Sequence, residues 1–89
     1  MLSKPERKTL KHRSHHLSPV VRIGTKGLTD AVHKEISAAL LAHELIKLHI
    51  VADDRDQRQN ITATICEKQG AELIDAIGHR AVFYKKREE

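Results

Sequence analysis

Residues 20–50 read VVRIGTKGLTDAVHKEISAALLAHELIKLHI, and this stretch decides the fold. Val20 to Ile23 is a β-branched run that suits a short strand. Gly24-Thr25-Lys26-Gly27 is a turn. Thr29 is placed to cap a helix, and Asp30 falls in its first turn, where a carboxylate meets the positive end of the helix dipole. From Asp30 to His43, the residues Val32, Ile36, Ala39, Leu40 and His43 line up with Leu28 on one face, which predicts a helix packed on a core. His43 then reads as a core histidine at the C-terminal end of that helix. From Glu44 to Val51 the period changes to two, with Ile46, Leu48 and Ile50 alternating with Lys47 and His49. A strand, a helix and a strand in this order make a βαβ unit with a wetter face on its second strand.

The flanks extend that unit. Ser3 with Glu6 three residues later is a capping box, and Pro5 is tolerated in a first turn, so a helix is expected over residues 4–15. Lys4, Arg7, Lys8, Lys11 and His15 fall on one arc of it, while Leu10 and Leu17 point the other way. With two leucines to dock it, this helix is expected to be the least firmly held. On the other side, Asp54 and Gln57 suggest a second capping box, opening a helix that runs to Gln69 and ends at Gly70. Ile61 and Ile65 anchor it, flanked by Thr62 and Cys66. Glu72–Ile77 and Arg80–Lys85 are strands joined by Gly78-His79, the pattern of a two-residue type II′ hairpin. The expected fold class is α/β (α+β), a single domain over residues 1–89. Its order is α-β-α-β-α-β-β, with two crossovers, a terminal hairpin and a four-stranded mixed sheet.

Composition limits the function. At 89 residues, with 39% apolar content, the chain makes one domain with a modest core and no room for a large internal cleft. Cys66 is the only cysteine, so no intramolecular disulfide and no cysteine-based zinc site can form; a lone thiol suits a reducing cytoplasm. The longest apolar run, Ala38 to Ala42, is far short of a membrane span, and the opening MLSKPERKTLK has no apolar core of a secretory signal. No membrane partner is therefore expected. The net charge of +4 is unevenly spread. Residues 1–26 hold Lys4, Arg7, Lys8, Lys11, Arg13, Arg22 and Lys26 against Glu6 alone, the middle of the chain is net acidic, and the last residues are basic again. Such a pattern fits a polyanionic partner. Phe83 and Tyr84 are the only Phe or Tyr residues and there is no Trp, which argues against gripping single-stranded bases by stacking. Strand alternation sends those two rings to opposite faces, so they cannot form a joint stacking platform.

The loop Gly24-Thr25-Lys26-Gly27 offers another way to hold a nucleic acid. Two glycines let a partner backbone approach closely. The next helix aims free N–H groups and its positive dipole end at the loop, so a phosphate fits there. Lys26 adds charge at the tip and Arg22 lies just before it. This is the logic of a GXXG loop, although GXXG alone also describes an ordinary strand-to-helix turn.

Taken with its surroundings, the loop identifies a resemblance. The segment His16-Leu17-Ser18-Pro19-Val20-Val21, the loop IGTKGLT at 23–29, HELIKLHI at 43–50, Asp54-Arg55 and the ending IGHRAVFYKK at 77–86 together resemble the YhbY family, whose fold is the CRM (chloroplast RNA splicing and ribosome maturation) domain. The resemblance covers residues 2–86. It implies a fold similar to the C-terminal domain of translation initiation factor 3 with a KH-like GXXG loop. It also implies RNA binding and association with rRNA in precursors of the large (50S) ribosomal subunit. The family's loop glycines correspond to Gly24 and Gly27, and its loop cation to Lys26. Thr25 stands where relatives often carry a basic or polar residue, and Phe83-Tyr84-Lys85 replaces a more usual Leu-Tyr-Arg, so Lys85 keeps the charge without the fork of Arg.

The expected RNA-binding surface joins Lys4, Arg7, Lys8 and Lys11 of the first helix to Arg22 and to Gly24, Thr25, Lys26 and Gly27, extended by Lys34 and the basic C-terminal strand. It requires the first helix to lie beside the loop. No catalytic residue, metal, cofactor or small-molecule substrate is expected. Ser14, Ser18 and Ser37 lack a nucleophile context. His12, His15 and His16 have spacing that could chelate a metal, and read better as helix surface or RNA contacts. Asp53, Asp54 and Asp56 could hold Mg²⁺ in a small nuclease, and read better as a helix cap. A protein binding DNA or any duplex is the other alternative.

Overall fold

Local chemistry sets the helix ends. The computed structural model describes residues 2–87, so Met1, Glu88 and Glu89 of the expected 1–89 domain lie outside the described residues. Helix α1 (Lys4–Ser14) opens on a closed capping box: the Glu6 N–H donates to Ser3 Oγ at 3.2 Å, and the Ser3 N–H donates to Glu6 Oε1 at 3.0 Å. The Ser3 backbone bond, with the hydroxyl adding to it, holds the Glu6 carboxyl below the usual range. The cap is therefore complete at neutral pH and weakens as pH falls through that lowered value. Helix α2 (Asp30–His43) is capped as expected by Thr29, whose Oγ1 accepts the Val32 N–H at 3.2 Å. It ends at Glu44, the only non-glycine with a left-handed φ (+64°) among the described residues. That reversal starts strand β2 (Leu45–Ile50) one residue later than alternation suggested. Helix α3 (Arg55–Gln69) is capped by Asp54, and Gly70 ends it at φ +64°. Its capping box differs from the expected one, because Gln57 Oε1 takes the N–H of Asp53 rather than that of Asp54.

The strands β1 (Val21–Ile23), β2, β3 (Glu72–Ile77) and β4 (Arg80–Tyr84) form one mixed sheet in the order β1-β2-β4-β3. β1 and β2 are parallel, while β4 runs antiparallel to both β2 and β3. The β2-α3-β3 crossover therefore leaves a slot, and the last strand fills it. Gly78 turns the β3–β4 hairpin with φ +58° while His79 stays out of the left-handed region, as a type II′ loop requires. The β3–β4 register shifts between Leu73 and Asp75. That bulge at Ile74 changes which β3 side chains meet which face.

Both faces of the sheet are covered, to different extents. On one face Ile36 and Leu40 of α2 and Ile65 of α3 bury against Val21, Ile23, Ile46, Leu48, Ile50, Ala81 and Phe83. On the other, Leu10 of α1 packs with Leu45 and Val82, joined by Leu2, Leu17, Ile74 and Tyr84. Helix α1 is held by more than its leucines. Arg7 donates to Glu72 Oε2 at 3.0 Å and to the Leu73 carbonyl at 2.7 Å, and Lys11 lies 3.8 Å from Asp75 Oδ1. The Arg7–Glu72 pair is exposed and worth about 0–1 kcal/mol, and Lys11 is exposed although Asp75 is half-buried, so buried Leu10 remains the main anchor. His43, expected in the core, is exposed: it lies at the last position of α2, where the chain turns away at Glu44.

Substituting Leu10→Ala should cost about 2–5 kcal/mol and act locally. In native-state hydrogen exchange, α1 amides should lose protection while those of Leu48 and Phe83 keep theirs. Phe83→Ala, at a site with 0% exposure, should instead lower the global unfolding midpoint, at a cost of about 3–5 kcal/mol.

Candidate nucleic-acid interface

The loop after β1 is built by two short-range bonds. The Gly27 N–H donates to the Gly24 carbonyl at 3.0 Å, placing Thr25 and Lys26 at the exposed corner of the turn. The Thr29 N–H then donates to the Gly27 carbonyl at 3.2 Å and brings the chain onto the α2 cap. Gly27 has φ +74°, a conformation that disfavours side chains. Gly24 has no such constraint, and a Cβ built there meets nothing within 4 Å. Nothing inside the fold requires glycine at 24, so its missing side chain leaves the backbone bare to an approaching partner. The Thr29 side chain satisfies the Val32 N–H, while Asp30 and Ala31 head the helix with N–H groups that have no intrahelical acceptor.

The expected surface residues separate into two groups. Arg22, Lys26 and Lys34 are exposed around the loop. The α1 residues are elsewhere. Helix α1 packs on β2, β3 and β4, across the sheet from α2. Arg7 reaches Glu72, which pairs with Tyr84, which pairs in turn with Leu45 at the start of β2. That is the end of the sheet away from the loop. Lys4 belongs to the same end, Lys8 is exposed one turn on, and Lys11 is paired with Asp75 nearer the middle. The required juxtaposition of helix one with the loop is therefore not what the chain adopts. Two leucines gave α1 its inward side in the sequence but not the face of the sheet it would choose.

The loop end also holds basic side chains: Arg80, which belongs to the C-terminal strand expected to extend the surface, and His79, Lys47 and His49, which were not among the expected contacts. Arg80 opens β4, His79 forms the adjoining turn, and Lys47 and His49 lie on the wetter face of β2. The period-2 pattern had placed Lys47 and His49 on one face, but only the strand order brings Arg80 beside them. The two rings part as expected: Phe83 is fully buried, and Tyr84 packs with Leu2 and Leu10 at the end away from the loop. The aspartate cluster is exposed, and Asp54 Oδ1 caps α3 through the Gln57 N–H at 2.7 Å. Among the described residues no three His, Cys, Asp or Glu side chains gather as metal ligands, and no helix is long and apolar enough to cross a membrane. Burial pushes the Cys66 thiol up, opposed in part by a Leu73 backbone bond, so little reactive thiolate forms at neutral pH.

The chain matches the family model of the CRS1/YhbY (CRM) domain over residues 2–85. It is 42% identical over 88 residues to a protein of Haemophilus influenzae named an RNA-binding protein, covering 99% of this chain and 89% of that one. It is 35% identical over 85 residues to a protein of Pseudomonas aeruginosa named a probable RNA-binding protein, covering 96% and 82% of the two chains. Its fold matches the solution structure of a candidate RNA-binding protein from Staphylococcus aureus with a TM-score of 0.86 at 29% identity, over 100% of this chain and 93% of that one.

The state of Cys66 can be checked directly. At neutral pH the native protein should alkylate with iodoacetamide several-fold more slowly than the urea-unfolded chain. Equal rates would mean that the thiol is not shielded.

Proposed function

The chain belongs to the CRS1/YhbY (CRM) domain family, and from that premise we propose that it binds structured RNA, without catalysing a reaction, through the Gly24–Gly27 loop. Bare Gly24, left-handed Gly27 and exposed Lys26 stand at the N-terminus of a 14-residue helix whose first N–H groups are open. This arrangement suits a phosphate, which would accept from the backbone and pair with the lysine. The observation that carries the reading is Gly24, a position where the fold itself has no use for a missing side chain.

The absence of an exposed aromatic platform supports a grip on the RNA backbone rather than on bases. Such a grip reads phosphates and shape, which suits folded RNA. The target we propose is rRNA in precursors of the large ribosomal subunit, with the protein acting as an assembly factor in the cytoplasm. That assignment rests on the family resemblance carried by IGTKGLT, HELIKLHI and IGHRAVFYKK. The names of the two bacterial relatives support the coarser reading of RNA binding.

Gly24→Asp is the cleaner test, because Gly27→Asp would combine charge with strain at φ +74°. The Gly24→Asp variant should keep its unfolding midpoint and bind a large-subunit rRNA fragment at least about tenfold more weakly, a change of about 1.4 kcal/mol. At matched salt, duplex DNA should compete poorly for the wild-type protein. Unchanged RNA affinity in the folded variant would remove the loop from the site, and equal competition by DNA would favour a general nucleic-acid binder.

A further inference from the structure

The sheet register lines up three side chains that no single segment of sequence places together. Arg22 of β1 pairs with His49 of β2, and His49 pairs with Arg80 of β4. Their sequence neighbours Val21, Ile23, Leu48, Ile50 and Ala81 all point into the core beneath α2 and α3, so the row points to the opposite face. Adjacent strands lie about 4.8 Å apart, so the row extends roughly 10 Å across the sheet. Helix α1 covers Val82 and Tyr84 on this face but stops short of the row. Arg22 and Arg80 are exposed and His49 is half-buried. The His79 ring stands edge-on to His49, with centroids 6.1 Å apart, and extends the row into the hairpin turn.

The row continues from the glycine loop. Arg22 precedes Ile23 and Gly24 directly, the Val51 N–H donates to the Ile23 carbonyl at 2.9 Å, and the Ile50 N–H donates to the His79 carbonyl at 2.6 Å. Loop, row and hairpin turn therefore share one end of the sheet. On this face the acids of β3 are Glu72 and Asp75, and each is already paired with a base of α1, Arg7 or Lys11. Neither Arg22 nor Arg80 is paired with a carboxylate among the described residues. Lys47 and His15 line a shallow depression of about 150 Å³ beside Arg80, together with Asp75. Toward the α2/α3 face the same end mixes Asp30, Asp53, Asp54 and Asp56 with Arg55 and Arg58, which line a cavity of about 360 Å³ with His79 and Arg80. A polyanion leaving the loop meets mixed charge on that side and two arginines without carboxylate partners on this one.

We propose that the Arg22–His49–Arg80 row, with His79, is a second backbone-binding subsite that carries the RNA from the glycine loop across the open face of the sheet. This inference rests on the RNA-binding reading and adds a path to it. The two arginines suit phosphate oxygens through their planar forks, and His49 between them supplies a ring N–H.

The test measures affinity for a large-subunit rRNA fragment against salt, in wild type and in three single variants, R22Q, R80Q and K68Q. Lys68 provides the same loss of charge in the last turn of α3, away from the row. R22Q and R80Q should each weaken binding several-fold and each flatten the slope of log K against log salt by about 0.7–0.9, the loss of one phosphate contact. K68Q should leave both quantities as in wild type. If R80Q keeps the wild-type slope while Gly24→Asp weakens binding as expected, the path is wrong and the loop stands. If R80Q and K68Q weaken binding equally, only overall charge matters and the subsite is overturned. If wild type fails to bind the RNA at all, the functional reading falls and this subsite with it.

Discussion

The insertion of β4 between β2 and β3 is the constraint on which the rest of the molecule depends. Until the last strand pairs on both its edges, β2 and β3 are not joined, because α3 carries the chain over a slot that is empty until β4 arrives. Closing it seats Phe83, with 0% exposure, beneath α2 and α3, and turns Val82 and Tyr84 toward α1. It also sets Arg80 opposite His49. Core, helix docking and the cationic face are therefore settled by one pairing event. The β3–β4 half is a local hairpin, but the β2–β4 half joins residues more distant in sequence and should be the later and entropically costlier step.

A small basic domain must also solve a problem of distribution. The chain carries 12 acidic residues against 16 basic ones, yet the area around the loop has to stay positive. The fold does this by committing carboxylates. Glu72 and Asp75 are neutralised by α1, and Asp54 is turned to capping. Arg7 and Lys11, two members of the basic arc in the sequence, are thereby drawn into holding the structure. Arg22, Lys26, Lys34 and Arg80 remain exposed at the loop end. The absence of an exposed Phe, Tyr or Trp platform and the presence of open helix N–H groups then fit together, since a backbone grip needs donors and charge rather than stacking surfaces.

The parts legible in the sequence were those fixed by neighbours along the chain. Thr29 and Asp54 are caps, Gly70 ends a helix, Gly78-His79 turns a hairpin, and α2 and α3 begin and end where composition placed them. The glycine loop was legible for the same reason. Contacts between distant segments were not. The face of the sheet chosen by α1, the Arg7–Glu72 contact 65 residues apart in sequence and the row through Arg80 depend on strand order, which no local pattern encodes. His43 shows the limit within an element: its period fitted the buried stripe, but it is the last residue of the helix, and the reversal at Glu44 leaves it in solvent.

Where RNA touches the protein is reported most directly by a residue-resolved NMR titration with a large-subunit rRNA fragment. The amides of Gly24 to Ala31 should shift most, followed by those of Arg22, His49, His79 and Arg80, while the first turn of α1 and the region around Tyr84 stay unchanged. Dominant shifts along the N-terminal half of α1 or on the outer side of α3, with the glycine loop silent, would contradict that contact surface.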